Sequence, residues 1–395
     1  MKLVRKNGLR FLTFSVFICL LGCAQTYRPV ANPILSPGGD PGPTKGALVV
    51  DNNGGGVGAT DLINIAGDTN SGTLVVGTNP VHAAIQPGNS QSYVANQGDS
   101  TVTASLTFSP GTGSTLISLA AGSQPVFLNT TQANLMFVAE SGTGKVAAIS
   151  TANNTVTSEI SVGGTPVALA EVPNQLHLYT MLTSGNVVDL NPADFTVPGT
   201  TIPVGTSPVF AAVSTDSVFV FVVNQGSNSV SVISTPSDTV VQTIPVGPAP
   251  NFAKYDPTLR RVYVTNSGGN TVSVIDASGT IPFPAPTTVT VGNAPTSVTA
   301  LADGSRAYVA NSGSGTVSVI NASSLTVTKT IGVGTTPLSL DSSSDSKRVI
   351  VANRDTVNSG SAIIGSISDI NTATDTVITT FIPGRSNPRF VVITP

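Results

Sequence analysis

The sequence is poor in nearly everything that catalysis draws on. It contains no tryptophan, two cysteines and two histidines, and only 9% of its 395 residues are charged, against a usual quarter. Glutamate is confined to Glu140, Glu159 and Glu171. With 17 basic against 20 acidic residues, the chain lacks the basic stripe that a nucleic-acid partner requires. Both cysteines fall in the first 23 residues, so the remainder cannot form an internal disulfide, and its stability has to come from packing.

What is abundant points to many short strands joined by tight turns. Gly and Pro number 39 and 28, and Val, Thr, Ser and Ile fill most of the rest. Length alone leaves open one large domain or two to three ordinary ones.

The amino terminus is set apart. Lys2, Arg5, Lys6 and Arg10 precede a largely apolar run, Phe11 to Leu21, closed by Gly22 and Cys23. This is the pattern of a secretory signal, and the run is too short for a spanning helix, which needs about 20 residues. Leu20-Leu21-Gly22-Cys23 resembles the lipobox of bacterial lipoproteins. The resemblance implies a signal peptide over residues 1–22, cleavage before Cys23, and lipid attachment to its thiol; ordinary secretion is the alternative. Ala24 is not the Asp associated with inner-membrane retention in enteric bacteria, so a diderm host implies the outer membrane. Losing four of the 17 basic residues leaves 13 against 20 acidic ones, a net charge near −7. Residues 23–46 carry five prolines after the cysteine and read as a tether, with a reach on the order of 70 Å at about 3.1 Å per residue.

From residue 47 to 395 the sequence is periodic. A proline opens an apolar segment at Pro80, Pro125, Pro166, Pro208, Pro250, Pro295, Pro337 and Pro388, with spacings of 45, 41, 42, 42, 45, 42 and 51. All but the last suit four-stranded propeller blades. A second marker keeps step with the first: the tetrads beginning at Leu48, Tyr93, Phe137, Leu178, Phe221, Tyr263, Tyr308 and Ile350. Both markers count eight. The tetrads at Leu48 and Leu178 are degenerate, so seven blades plus an irregular segment is the alternative. Each unit reads as four strands with both sheet faces substantially apolar, which stacking around a ring buries. The first unit starts at its second strand, and the chain ends on an unattached first strand, Pro388 to Thr394. The expected fold is therefore an all-β propeller, closed by pairing of the C-terminal strand into the first blade.

The repeats YVTNSGGNTVSVID from Tyr263 and YVANSGSGTVSVIN from Tyr308, with the IPVG elements at Ile202 and Ile244, resemble the YVTN-family β-propeller repeats of surface-layer and other exported microbial proteins. The resemblance covers nearly everything after the tether. It implies an extracytoplasmic propeller and supplies no catalytic motif. Copper-binding relatives in fold need many histidines, and quinone-cofactor propeller dehydrogenases typically show tryptophan-rich motifs. Neither resource exists here, so no cofactor and no metal are expected.

Four features remain as candidate sites. His82, in a first strand near the channel, and His177, before the fourth tetrad, are expected to be packed or hydrogen-bonded structural residues. The run from Asp51 to Gly58 has neither the alternating acids of an EF-hand nor the Lys-Ser/Thr of a phosphate loop, and reads as a long hairpin turn. Connections between second and third strands lengthen in the first unit (52–60) and the last (354–366), which ring closure makes neighbours. Asp51, Asn52, Asn53, Arg354 and Asp355 are their candidate ligand contacts. Arg260, Arg261, Arg306, Lys347 and Arg348 form a candidate basic sector on the opposite face, for an anionic envelope polymer, although Asp256, Asp303 and Asp345 in the same turns could neutralise it. The leading expectation is a monomeric, lipid-anchored, non-enzymatic binding or scaffold module at the bacterial envelope. The alternative is a hydrolase resembling propeller lactonases, with a metal near the channel. A channel lined by Val, Ala, Ser and Thr is expected, and favours the former.

Overall fold

The structure, a computed structural model, describes residues 46–394 apart from positions 87, 89–90, 108–112, 131–133, 196–198, 355–357, 360–361, 364 and 385–386. The leader, Cys23 and nearly all of the tether lie outside the described residues, as does Asp355. Eight four-stranded antiparallel sheets form the blades of a propeller, numbered here from the N-terminus. The count matches both sequence markers.

Every innermost strand begins at a marker proline: Pro80–Ile85, Pro125–Thr130, Pro166–Glu171, Pro208–Val213, Pro250–Asp256, Pro295–Ala300, Pro337–Ser342 and Pro388–Ile393. Proline is tolerated at this place because the first residue of an edge strand owes no hydrogen bond to the ladder. The following residue, from Val81 in blade 2 to Arg389 in blade 1, is skipped in the pairing of every blade. Such a bulge bends the strand and re-aims the skipped side chain.

The tetrads lie on the second strands, including the degenerate ones, in Gly46–Asp51 and Leu178–Leu182. Their final Asn has a repeated task. Asn96, Asn224, Asn266, Asn311 and Asn353 are fully buried, and each Nδ2 donates to two hydroxyls on the third strand. For Asn266 these are Thr271 and Ser273, both at 3.0 Å. For Asn311 they are Thr316 at 3.2 Å and Ser318 at 2.9 Å. The NH2 group thus recovers inside the sheet the bonds it gave up in water, while each Oδ1 is buried without a partner. The alternating Ser/Thr of the third strand are its partners.

Packing is between blades as much as within them. Phe221, Val223 and Val232 of blade 5 share one apolar cluster with Tyr255, Val262 and Ile275 of blade 6, and comparable clusters recur around the ring. Closure follows the expected route. Pro388–Ile393 pairs antiparallel with Gly46–Asp51, from Ala47 opposite Ile393 to Val50 opposite Phe390. Val391 and Ile393 enter a cluster holding Val49 and Ile63 of blade 1 and Ile350 and Ile367 of blade 8.

The innermost strands start at one face, called here the entry face, which also carries the connections between second and third strands. Turns between first and second and between third and fourth strands lie on the far face. The long first connection is shorter than the sequence suggests: the third strand starts at Val57, leaving residues 52–56 around a single 3-10 turn. Gly58, which read as part of the loop, falls within this strand, where an added Cβ would lie 2.2 Å from Pro80, too close for any side chain. The connection in blade 8 is long, and Asn358–Ser359 pairs with Ala362–Ile363 within it.

Candidate functional site

The channel differs from the small, neutral lining expected. In five of the eight blades the residue two places after the marker proline is a ring, and these rings form a chain along the innermost strands. His82 of blade 2 stacks on Phe127 of blade 3 with centroids 4.0 Å apart and lies 4.3 Å from Phe390 of blade 1. Phe127 meets Phe210 of blade 5 edge-on at 6.0 Å, and Phe210 meets Phe252 of blade 6 at 4.4 Å. Blade 4 carries Ala168 here, which leaves room for the ring of blade 3 to reach that of blade 5. Because the bulge shifts the alternation, these rings were hard to assign to the axis from sequence.

His82 is a structural residue. Its Nδ1 accepts the Leu128 N–H at 3.3 Å, which puts the ring proton on Nε2, a buried atom without a partner. Burial pushes the imidazole down to about 3, so it is neutral at any physiological pH. Ser339 and Ser297 hold the equivalent place in blades 8 and 7, accepting the Val391 N–H at 3.2 Å and the Leu340 N–H at 3.5 Å. The polar residue at this position satisfies an edge amide of the next innermost strand.

Nearer the far face the innermost strands carry a polar group missed in the sequence. Asn129 Nδ2 donates to Glu171 Oε2 at 3.1 Å, and burial pushes the Glu171 carboxyl up to about 8. Lys254 Nζ lies 3.5 Å from Asp341 Oδ1, both side chains being at most a tenth exposed. Asp341 also accepts the Ile393 N–H at 3.1 Å. These residues sit four or five places after a marker proline, where other blades have uncharged residues such as Ala84, Ala212, Val213 and Val392; that offset was the available signal. Each is engaged with a neighbour within the ring.

At the entry face, ring closure brings the predicted loop residues to one seam. Asp51 and Asn52 are fully buried there. The Asn52 N–H donates to Asn387 O at 3.0 Å, and its Nδ2 donates to Asn79 Oδ1 and to Pro80 O. Asn53 donates to Val57 O at 3.0 Å within its turn. Asn52 is thus committed to the seam between blades 1 and 2 and the closing strand, and Asn53 to its own turn. Arg354 is different. Its charge acts on Arg389, the skipped residue of the closing strand, which the sequence did not single out. Partial burial, and then the neighbouring Arg354 charge, hold Arg389 below the usual guanidinium range. Arg389 Nε is buried without a hydrogen-bond partner. Neither arginine pairs with a carboxylate among the described residues.

The basic sector on the far face is largely neutralised, and mostly by other residues than the Asp of its own turns. Arg260 pairs with Asp216 of blade 5 at 2.6 Å. Arg306 pairs with Asp375 of blade 8 at 2.8 Å. Arg261 donates to Ala322 O of blade 7, and Arg348 lies 3.6 Å from Asp68 of blade 1 and 3.7 Å from Asp369. Lys347 alone stays within its turn, 4.0 Å from Asp345, and is 74% exposed. Asp256 instead caps its turn through the Thr258 and Leu259 N–H groups, and Asp303 accepts the Ser305 N–H.

His177 is also placed by the far face. Its Nδ1 lies 2.7 Å from Asp189 Oδ2 and 3.7 Å from Asp238 Oδ1. Residues 12 and 61 places along the chain meet there, so no local spacing announced the group.

The sequence matches no protein-family model and no curated protein. Solved structures do match. Dihydro-heme d1 dehydrogenase NirN, in complex with DHE, superposes with a TM-score of 0.71 at 12% identity, over 89% of this chain and 76% of that one. Apo AztD from Citrobacter koseri gives 0.64 at 10% identity over 89% and 98%. A streptogramin B lyase gives 0.55 at 14% over 69% and 89%. The likeness is one of fold. Propellers with such different names share this architecture, and one fold hosts many activities.

Proposed function

We propose that the protein is a lipid-anchored binding module of the bacterial cell envelope, held through Cys23, that recognises an anionic polymer at the entry face beside the closure of the ring. The observation that carries this reading is that the Arg354 charge acts on the half-buried Arg389, whose buried Nε has no hydrogen-bond partner, and that neither arginine pairs with a carboxylate among the described residues. Two guanidinium forks brought together at a cost in repulsion are a site for carboxylate or phosphate oxygens. The far-face sector, by contrast, has already spent most of its charge on neighbouring blades. The hydrolase reading draws less support, because aromatic rings lie along the innermost strands and Asn129, Glu171 and Asp341 are each engaged by protein groups.

The test uses full-length protein with immobilised polygalacturonate and polyphosphate as separate probes at low salt. One or both should retain it, and Arg354→Gln with Arg389→Gln should weaken retention by roughly tenfold or more, the worth of a charged hydrogen bond. Lys347→Gln, on the far face, should leave it unchanged. Undiminished retention of the double variant, or none of the wild type on either probe, refutes the site. For the anchor, Cys23→Ser should move the protein from the membrane fraction to the soluble fraction; a variant still in the membrane refutes lipidation there.

A further inference from the structure

The far face carries a recurring slot that blade 4 fills in its own way. Two residues before the buried side chain of a second strand, a basic group reaches toward the turn between third and fourth strands of the next blade. In blade 7 this is Arg306, bound to Asp375, which also accepts from the Tyr308 hydroxyl. In blade 8 it is Arg348, set between Asp68 of blade 1 and Asp369 on its own third strand. In blade 4 the residue is His177. Asp189, opposite Tyr179 on the third strand, stands where Asp369 stands opposite Ile350. Asp238, in the turn of blade 5, stands where Asp375 and Asp68 stand, with the same positive φ, 48° against 52° and 48°.

The substitution changes the charge balance. Blade 8 places a permanent cation between two carboxylates; blade 4 places an imidazole there. The Tyr179 hydroxyl donates to Asp238 Oδ1 at 2.6 Å, and Asp189 Oδ1 is buried with no partner. One oxygen of the group is therefore left unsatisfied, and two carboxylates share one imidazole.

We propose that His177, Asp189 and Asp238 form a site for a zinc-class divalent cation that clips blade 4 to blade 5. One nitrogen and two oxygens, all within 4.8 Å of one another, are the donors such an ion takes. Around a tetrahedral ion with bonds of 2.0–2.1 Å, donor atoms lie about 3.3 Å apart. The observed Nδ1 separations of 2.7 and 3.7 Å bracket that value. The imidazole selects against Mg2+ and Ca2+, which favour all-oxygen shells. His177 and Asp238 keep 21% and 27% of their side-chain surface exposed, so an ion enters from solvent, and water completes its shell. The site is independent of the arginine pair on the opposite face.

The test strips full-length protein with a chelator and titrates it with Zn2+ by calorimetry and with Co2+ by visible absorption. One equivalent should bind at micromolar concentration or below, with the d–d bands of a low-coordinate N/O site, and Mg2+ should not compete. Asp238→Asn should weaken binding by roughly tenfold or more, in the range for perturbed metal sites. His177→Arg imitates blades 7 and 8: it should abolish binding while the protein melts without metal at least as high as the metal-free wild type. No Zn2+ binding up to 100 µM in the wild type, or unchanged stoichiometry and affinity in His177→Arg, overturns the proposal.

Discussion

Glu171 and His82 face the same channel and respond to pH in opposite directions. The Glu171 carboxyl is raised from its ordinary value of 4.5 to about 8, chiefly by burial. Between those values the folded protein holds a proton that the unfolded chain has released, so its contribution is full below about 4.5 and is lost as pH rises through about 8. His82 is lowered from 6.5 to about 3 by burial. The unfolded chain then binds the extra proton, and stability falls as pH drops from 6.5 toward 3. Asp369, raised to about 7 by burial against the pull of Arg348, adds to the alkaline loss. Each group contributes a slope of at most about 1.4 kcal/mol per pH unit. Glu171→Gln, which keeps an acceptor for Asn129, should flatten the decline between pH 5 and 8 and raise stability at pH 8 relative to wild type. Urea unfolding at a series of pH values measures this, and an unchanged pH slope would show that Glu171 is solvated in a way the geometry does not allow.

At the scale of the element, the IPVG and YVTN motifs turn out to be two halves of one contact. Gly247 ends the outer part of blade 5, and an added Cβ would lie 2.6 Å from Asn266 Nδ2 of blade 6. Gly292 stands in the same relation to Asn311, at 2.7 Å. The glycine lets the connection lie flat on the amide that fastens the second strand to the third. Gly247→Ala should therefore destabilise by about 1–3 kcal/mol, the usual cost of overpacking. Gly279→Ala, where a Cβ meets nothing within 4 Å, is the matched control. Equal unfolding midpoints for the two variants would refute the contact. These motifs were visible in the sequence because they repeat, and so were the strand order and the blade count. The channel rings were not, since the bulge after each proline moves the side-chain alternation by one place. The His177 group and the Arg354–Arg389 pair were hidden for a different reason: each joins residues of different strands or blades that occur once, and repetition cannot mark what is unique. Asn52 shows the converse, for it was legible as a loop residue at the seam, whereas its side chain is used up in holding Asn79 and the Pro80 carbonyl.

At the scale of the whole molecule, closure rests on one six-residue strand. Pro388–Ile393 is the innermost strand of blade 1, yet it lies at the far end of the chain from its partner strand, and Thr394 N donates to Gly46 O at 2.9 Å across the whole sequence. Phe390 and Val392 pack toward Leu48, Val50 and, in blade 2, Val94, whereas Val391 and Ile393 pack toward blade 8. Removing the strand uncovers the apolar faces on both sides of it. An open array of repeats unfolds in a way set by nearest neighbours and can fray from its ends, whereas a closed ring ties each blade to all the others. Truncation after Gly384 should therefore replace a single cooperative melting transition with a broad, lower one, followed by circular dichroism and calorimetry. A synthetic peptide of residues 385–395 added in excess should restore part of the lost cooperativity, because the pairing is non-covalent and its register is fixed by the alternation of inward and outward side chains. A truncated protein that melts as the intact one does would mean that the blades stand without their seam, and that the ring is held by lateral packing alone.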